Sequence, residues 1–234
     1  MPYEPPEYRT DGRDQYTKMY GVSNVVPSPI FCGSDTLAVI DLRVTNDYPS
    51  NGDIIQVGCI IVDDTFERWA KAPVFDLKMV RRNIDKPVSS KVLRANKITT
   101  KRLEEHDSVA ALSYKEGAVA FSEWVTPFLT TPSGKLQLVV ADKSSTVWWL
   151  RHWLGELYPI LIRDRFRDAN SVLLARKDRM HMSGVWTETW WKKQSLSQVA
   201  LELGAEPLVP GDAVHHAESL RRVYQAMIKY NDFI

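Results

Sequence analysis

The chain has 234 residues, 44% hydrophobic and 25% charged, enough to bury one sizeable core and within the range of ordinary globular domains. Thirty Lys and Arg against 29 Asp and Glu leave a net charge of +1, which excludes the broad positive field of a non-specific duplex binder; any nucleic-acid contact has to be local. Cys32 and Cys59 are too few and too far apart for a zinc module or a disulfide framework, the N-terminal residues hold no apolar signal core, and no segment approaches the ~20 apolar residues of a membrane span. The expectation is a soluble, cytoplasmic protein with no membrane partner.

Residues 1–34 hold several prolines and little periodic hydrophobicity, which suits an extended arm. Such an arm is either a surface-hugging tail or, through Tyr3, Tyr8, Tyr16 and Tyr20, a partner-binding segment; residues 35–234 are read as a single domain. From Thr36 the runs TLAVIDLRVT, DIIQVGCIIVDD and PVFDLKMV are rich in Val, Ile and Leu, and the turn-like YPSNGD separates the first two, which predicts an antiparallel three-strand meander. A loop and short helices are expected through residues 86–106. Residues 116–129 place Ala118, Phe121, Val125 and Phe128 on one helical face. KLQLVVA then reads as a short strand, and Val147, Leu150, Leu154 and Leu157 repeat at helical spacing behind a Ser/Thr cap. SVLLAR at 171–176 is read as a fifth strand. Leu196, Val199, Ala200 and Leu203 mark a helix that stops at Gly204, and Ala217, Leu220, Tyr224 and Met227 mark the last one. A strand, helix and strand following a meander imply a right-handed parallel crossover joined to it.

This order resembles the ribonuclease H-like fold, and several phrases resemble the DnaQ-like (DEDDh-type) 3′-to-5′ exonucleases. Val39-Ile40-Asp41-Leu42-Arg43 stands where that group has its Asp-x-Glu motif, and Ile54-Ile55-Gln56-Val57-Gly58 is similar to its Ile-Ile-x-Ile-Gly phrase. Ala95-Asn96-Lys97-Ile98-Thr99 with Leu103 is similar to the His-Gly-Ile-Thr segment. Leu138-Val139-Val140-Ala141 and the helix after it stand where the group has His-Asn-x-x-Phe-Asp, and His215-His216-Ala217 resembles His-x-Ala-x-x-Asp. The resemblance covers roughly residues 36–230. It implies an α/β, ribonuclease H-like fold with a mixed five-stranded sheet and helices on both faces. Phage exonucleases are the nearest shape, which would place the chain in the cytoplasm of a bacterial host.

Hydrolysis in that family uses paired Mg2+ or Mn2+ ions, which need converging carboxylates, and a His that takes the proton of the attacking water. Carried over residue by residue, Asp41 survives, Arg43 replaces the second acid, Thr146 (or Val147, one register on) replaces the third, and Leu220 replaces the fourth; His215 matches the base. The remnants Asp41 and His215 are therefore not expected to be catalytic, and no metal or other cofactor is expected. Asp142, Asp47 and Glu218 are the alternative acids, with Asp41 and Asp142 the first choice of ligands if metal does bind. Arg43 either pairs with Asp41 or Asp142, or holds a phosphate.

Adjacent tryptophans on one helix cannot all face inward, so Trp148, Trp149, Trp190 and Trp191, with Lys192, are candidates for binding another protein or for stacking bases. Three functions remain open on the sequence. The first is a catalytically degenerate protein-binding adaptor, the second a metal-free binder of single-stranded DNA or RNA, and the third an active Mg2+- or Mn2+-dependent exonuclease with relocated ligands.

Overall fold

The computed structural model describes residues 35–70, 72–82, 84, 87–110, 112–129, 134–184, 195–209 and 211–229; the N-terminal arm and the cluster of Trp186, Trp190, Trp191 and Lys192 lie outside them. The meander forms as expected. β1 (Thr36–Val44) pairs antiparallel with β2 (Ile54–Val62), and β2 with β3 (Phe75–Lys78). β4 (Leu136–Val140) returns parallel to β1, giving the order β3-β2-β1-β4-β5. β5 is only Arg167–Asp168, parallel to β4. SVLLAR is not that strand. It lies inside a helix, because Asp168 accepts from the Asn170 N–H and starts the helix directly after the two paired residues.

β-branched residues build both faces of the sheet, and each face is covered. On one side lie α3 (Tyr114–Val125), α4 (Lys143–Leu154) and α5 (Tyr158–Leu161), which bury Phe121, Val125, Trp149, Leu150 and Trp153 against Ile40, Val57 and Leu138. On the other lie α6 (Ala169–Met182), α7 (Leu196–Glu202) and α8 (Ala213–Lys229), whose Leu173, Val199, Ala217, Leu220 and Tyr224 pack on Leu37, Val39 and Ile60. Alternate residues of β1 feed the two clusters, as the period of two requires.

Local chemistry sets the ends of the helices. Ser113 and Glu116 form a reciprocal capping box at α3. The cap of α4 is Asp142 rather than Ser or Thr: its carboxylate accepts from the Ser145 N–H at 3.1 Å, and Ser144, Ser145 and Thr146 lie inside the first turn. The register shifts at Arg43/Val44, so Ile55 is an extra residue on β2. It is buried with Leu93 of α1 (Ser90–Ala95) and Leu103 of α2 (Thr100–Val109), which fixes both short helices at this end of the sheet.

Two backbone details hold the same region. A Cβ at Gly58 would fall 2.4 Å from the carbonyl carbon of Ala213, so the missing side chain is the seat of the first turn of α8. Lys97, between α1 and α2, has φ +51° in the position where the similar motif carries Gly.

Asp212 caps α8, accepting from the N–H groups of Val214 and His215 at 2.9 and 3.0 Å. Burial opposes its ionisation. Hydrogen bonds from Gln56 and from those two backbone groups, with the neighbouring His215, outweigh it and hold the carboxyl below its usual value.

Three stability measurements test these assignments by chemical denaturation. Gly58→Ala should destabilise by about 2 kcal/mol or more, because backbone rather than a flexible side chain must move. Lys97→Gly should stabilise by about 1 kcal/mol through relief of the left-handed conformation. Asp212→Ala should cost about 1–2 kcal/mol at neutral pH. The contribution of a carboxyl with a depressed pKa is complete above the unfolded value of about 3.9 and is lost as pH falls through the folded one, so Asp212→Ala should also flatten the acid limb of stability below about pH 4.

Candidate functional site

The C-terminal end of β1 carries Asp41 and Arg43 on the face that α8 covers. Antiparallel pairing brings Gln56 opposite Arg43, and Lys78 opposite Gln56. Across this row lies a cleft of about 510 Å³ lined by Ile98, Arg102, Leu103 and His106 on one side and by Gly211, Asp212 and His215 on the other.

Arg43 is the centre of the arrangement and only 4% exposed. Its Nη1 donates to Asn96 Oδ1 at 2.9 Å and its Nη2 to the Asp212 carbonyl at 3.3 Å, while Nη2 lies 3.2 Å from Asp41 Oδ2. The other Asp41 oxygen, Oδ1, lies 2.9 Å from His216 Nδ1. These last two contacts are close but not aligned: Asp41 Oδ2, Arg43 Nε and His216 Nδ1 are all buried without a hydrogen-bond partner. Gln56 closes the network, donating to Asp76 and Asp212 and accepting from the Ala213 N–H at 3.1 Å.

The sequence candidates separate here. Asp41 and Arg43 are paired with each other rather than with Asp142, whose carboxylate caps α4. His215 stands at the cleft with its side chain 76% exposed and 3.5 Å from Asp212, and it is the next residue, His216, that reaches Asp41. Thr146 is half-buried in the first turn of α4, as is Val147. Leu220 is fully buried in the apolar layer with Leu37 and Val39. Glu218 is bound to Arg221 and Arg222, and Asp47 is exposed in the loop after β1. Among the described residues no three His, Cys, Asp or Glu side chains are grouped to hold a metal ion. A guanidinium 3.2 Å from the Asp41 carboxylate is the opposite of a ligand, so the residues present do not fit a metal pair.

The tryptophans separate too. Trp149 is 2% exposed and packs in the core with Leu150 and Phe121, so it presents nothing to a partner, contrary to the expectation that it belongs to a binding face. Trp148, one residue earlier and about 100° around the helix, is 52% exposed.

Four contributions were not read from the sequence: Asn96 accepting from Arg43, Gln56 bonding Asp212 and the Ala213 N–H, His216 lying beside Asp41, and a block of charge. Between Lys78 and Arg102 the sequence has nine cations (Lys78, Arg81, Arg82, Lys86, Lys91, Arg94, Lys97, Lys101 and Arg102) and one acid, Asp85. Arg81 and Arg82 are consumed by Asp107 and Asp53. Lys78, Lys91, Arg94, Lys97, Lys101 and Arg102 are exposed around the cleft and the two helices beside it, with Glu105 3.8 Å from Lys101 and also on the cleft wall. A windowed count of charge would have found this block; the net charge hides it.

No family model and no curated protein matches the chain. Solved structures do. Cell-death related nuclease 4 (CRN-4) is similar at 15% identity with a TM-score of 0.60, over 83% of this chain and 64% of that one. The nuclease domain of 3′hExo, described as a DEDDh family member bound to rAMP, is similar at 15% identity and a TM-score of 0.55, over 86% and 94%. Exonuclease I from Methylocaldum szegediense is similar at 16% identity and a TM-score of 0.61, over 85% of this chain but 41% of its own length. With its meander, parallel crossover and covered five-stranded sheet, the chain has the ribonuclease H-like α/β fold of the DnaQ-like exonucleases.

Proposed function

We propose that this exonuclease-fold chain is catalytically silent and binds single-stranded nucleic acid without metal. The observation that carries the first half is Arg43. Where the similar exonucleases place a metal-binding acid, a buried cation is held by Asp41, Asn96 and the Asp212 carbonyl, and a second cation brought to that point would meet like charge. Leu220 and Thr146 supply no carboxylate from the other two elements.

The second half rests on the basic block around the cleft. Phosphates attract it locally although the whole chain is nearly neutral, and binding of this kind needs no ion to offset charge. Structural neighbours were solved with rAMP, with a dA16 oligonucleotide and with single-stranded DNA, which supports the same class of ligand here. Of the tryptophans that favoured a protein-binding adaptor, Trp149 is in the core, and Trp148 remains as an exposed candidate among the described residues. A relocated metal site is disfavoured because Asp142 caps a helix and Glu218 is ion-paired.

Two measurements test this reading. End-labelled single-stranded DNA and RNA incubated with the protein and Mg2+ or Mn2+ should remain full length; metal-dependent trimming that disappears in Asp41→Ala would overturn the silent centre. In EDTA the same oligonucleotides should bind with an affinity that falls as salt rises. Lys78→Ala and Arg102→Ala, both exposed, should each lower affinity severalfold and reduce the slope of log K against log salt by about 0.7, the value for one phosphate of a single strand.

A further inference from the structure

At the C-terminal end of β1, the loop between β1 and β2 carries Tyr48, and its ring meets Trp148 of α4 edge to face, with centroids 5.3 Å apart and planes at 64°. Both are about half exposed, 51% and 52%, and among the described residues they are the two aromatic side chains in the set of large exposed hydrophobics. The two exposed Tyr and Trp rings of that set are therefore in contact with each other.

The pair is built rather than incidental. The loop is closed by the Thr45 N–H to the Asp53 carbonyl at 2.9 Å and by the Asp53 N–H to Thr45 Oγ1 at 2.9 Å. Arg82 then locks it from below, donating to the carbonyls of Pro49 and Gly52 and pairing with the buried Asp53 carboxylate. The Nη1 of the same guanidinium lies 2.8 Å from Nε2 of His152, one helical turn beyond Trp148. Burial and the adjacent Arg82 hold the His152 imidazole below its usual pKa range, so at neutral pH it accepts this bond. One arginine thus ties the loop that carries Tyr48 to the helix that carries Trp148 and fixes the two rings relative to each other.

The loop leaves β1 just after Arg43, which lines the cleft, so the aromatic pair stands at the same end of the sheet as the exposed cations Lys78 and Arg102 of the cleft wall. We propose that Tyr48 and Trp148 form a stacking platform for an unpaired base of a bound single strand. This rests on the reading of the chain as a single-strand binder, and it names the part of the ligand that its phosphate contacts leave unread. Stacking on a ring face accepts any base, so the platform contributes affinity and a preference for unpaired over duplex strands, with little sequence discrimination.

The test is fluorescence anisotropy in EDTA with two labelled probes of equal length, a single-stranded oligothymidylate and its abasic counterpart with the same phosphates. The wild-type chain should bind the base-bearing probe about tenfold more tightly. Trp148→Ala and Tyr48→Ala should each remove most of that preference while leaving abasic binding and its salt slope unchanged, and Trp148→Phe should retain most of it. Thermal melting of each variant checks the fold. If wild type prefers neither probe yet binds both, the platform is wrong and the single-strand reading stands; if it binds neither, both fall. Sedimentation of the variants supplies the remaining outcome: a change of oligomeric state in Trp148→Ala, with base preference intact, would assign the pair to a protein contact and overturn the proposal.

Discussion

A buried guanidinium has to be surrounded, and much of this end of the molecule is arranged to surround Arg43. Its partners come from three stretches far apart in sequence: Asp41 two residues back on β1, Asn96 after α1, and the Asp212 carbonyl at the start of α8. Removing any partner would leave charge or a donor stranded in low dielectric, so the pair imposes the positions of its neighbours more than it adds stability of its own. Arg43 Nε, Asp41 Oδ2 and His216 Nδ1 are buried without an aligned protein partner.

The second organising feature is segregation of charge. A chain with net charge +1 carries a 25-residue stretch, from Lys78 to Arg102, with an excess of eight positive charges; its two ends, Lys78 and Arg102, line the cleft, and Ile55, Leu93 and Leu103 anchor the helices that carry its later cations. The apolar anchors under α1 and α2 are what convert a run of cations in sequence into a surface. The two arginines that pair inward, Arg81 and Arg82, spend their charge on geometry: one ties β3 to α2, the other clamps the loop that bears Tyr48.

Most of the architecture was legible because it follows from periodicity. The Val, Ile and Leu runs of β1 and β2 and the spacing of Phe121, Leu150, Val199 and Leu220 point to the buried elements directly. The failures have local causes. SVLLAR looks like a strand because Val and Leu suit both states, and only the cap at Asp168 decides for helix. The cap of α4 was assigned to Ser/Thr because three such residues follow Asp142, and periodicity does not say which of them begins the helix. At the site, the pairing of Arg43 with Asp41 could be read from residues two apart on one strand. Asn96, Gln56 and His216 could not, because their roles depend on contacts across 53 and 157 residues of chain or on which of two adjacent histidines faces inward. Trp148 and Trp149 pose the same problem, which only the phase of the helix resolves.

The seat of α8 on Gly58 has a consequence for how such a cleft would take a ligand. Backbone rests on backbone there, with no side chain between to compress or rotate, and Gln56 and Asp212 pin the same turn by hydrogen bonds. One wall of the cleft is therefore a stop and not a hinge. That wall is already in place before any ligand arrives, so its own ordering adds nothing to the cost of association. What the molecule gives up in return is adjustment on that side: a ligand would have to conform to the wall, since the wall cannot move to meet it.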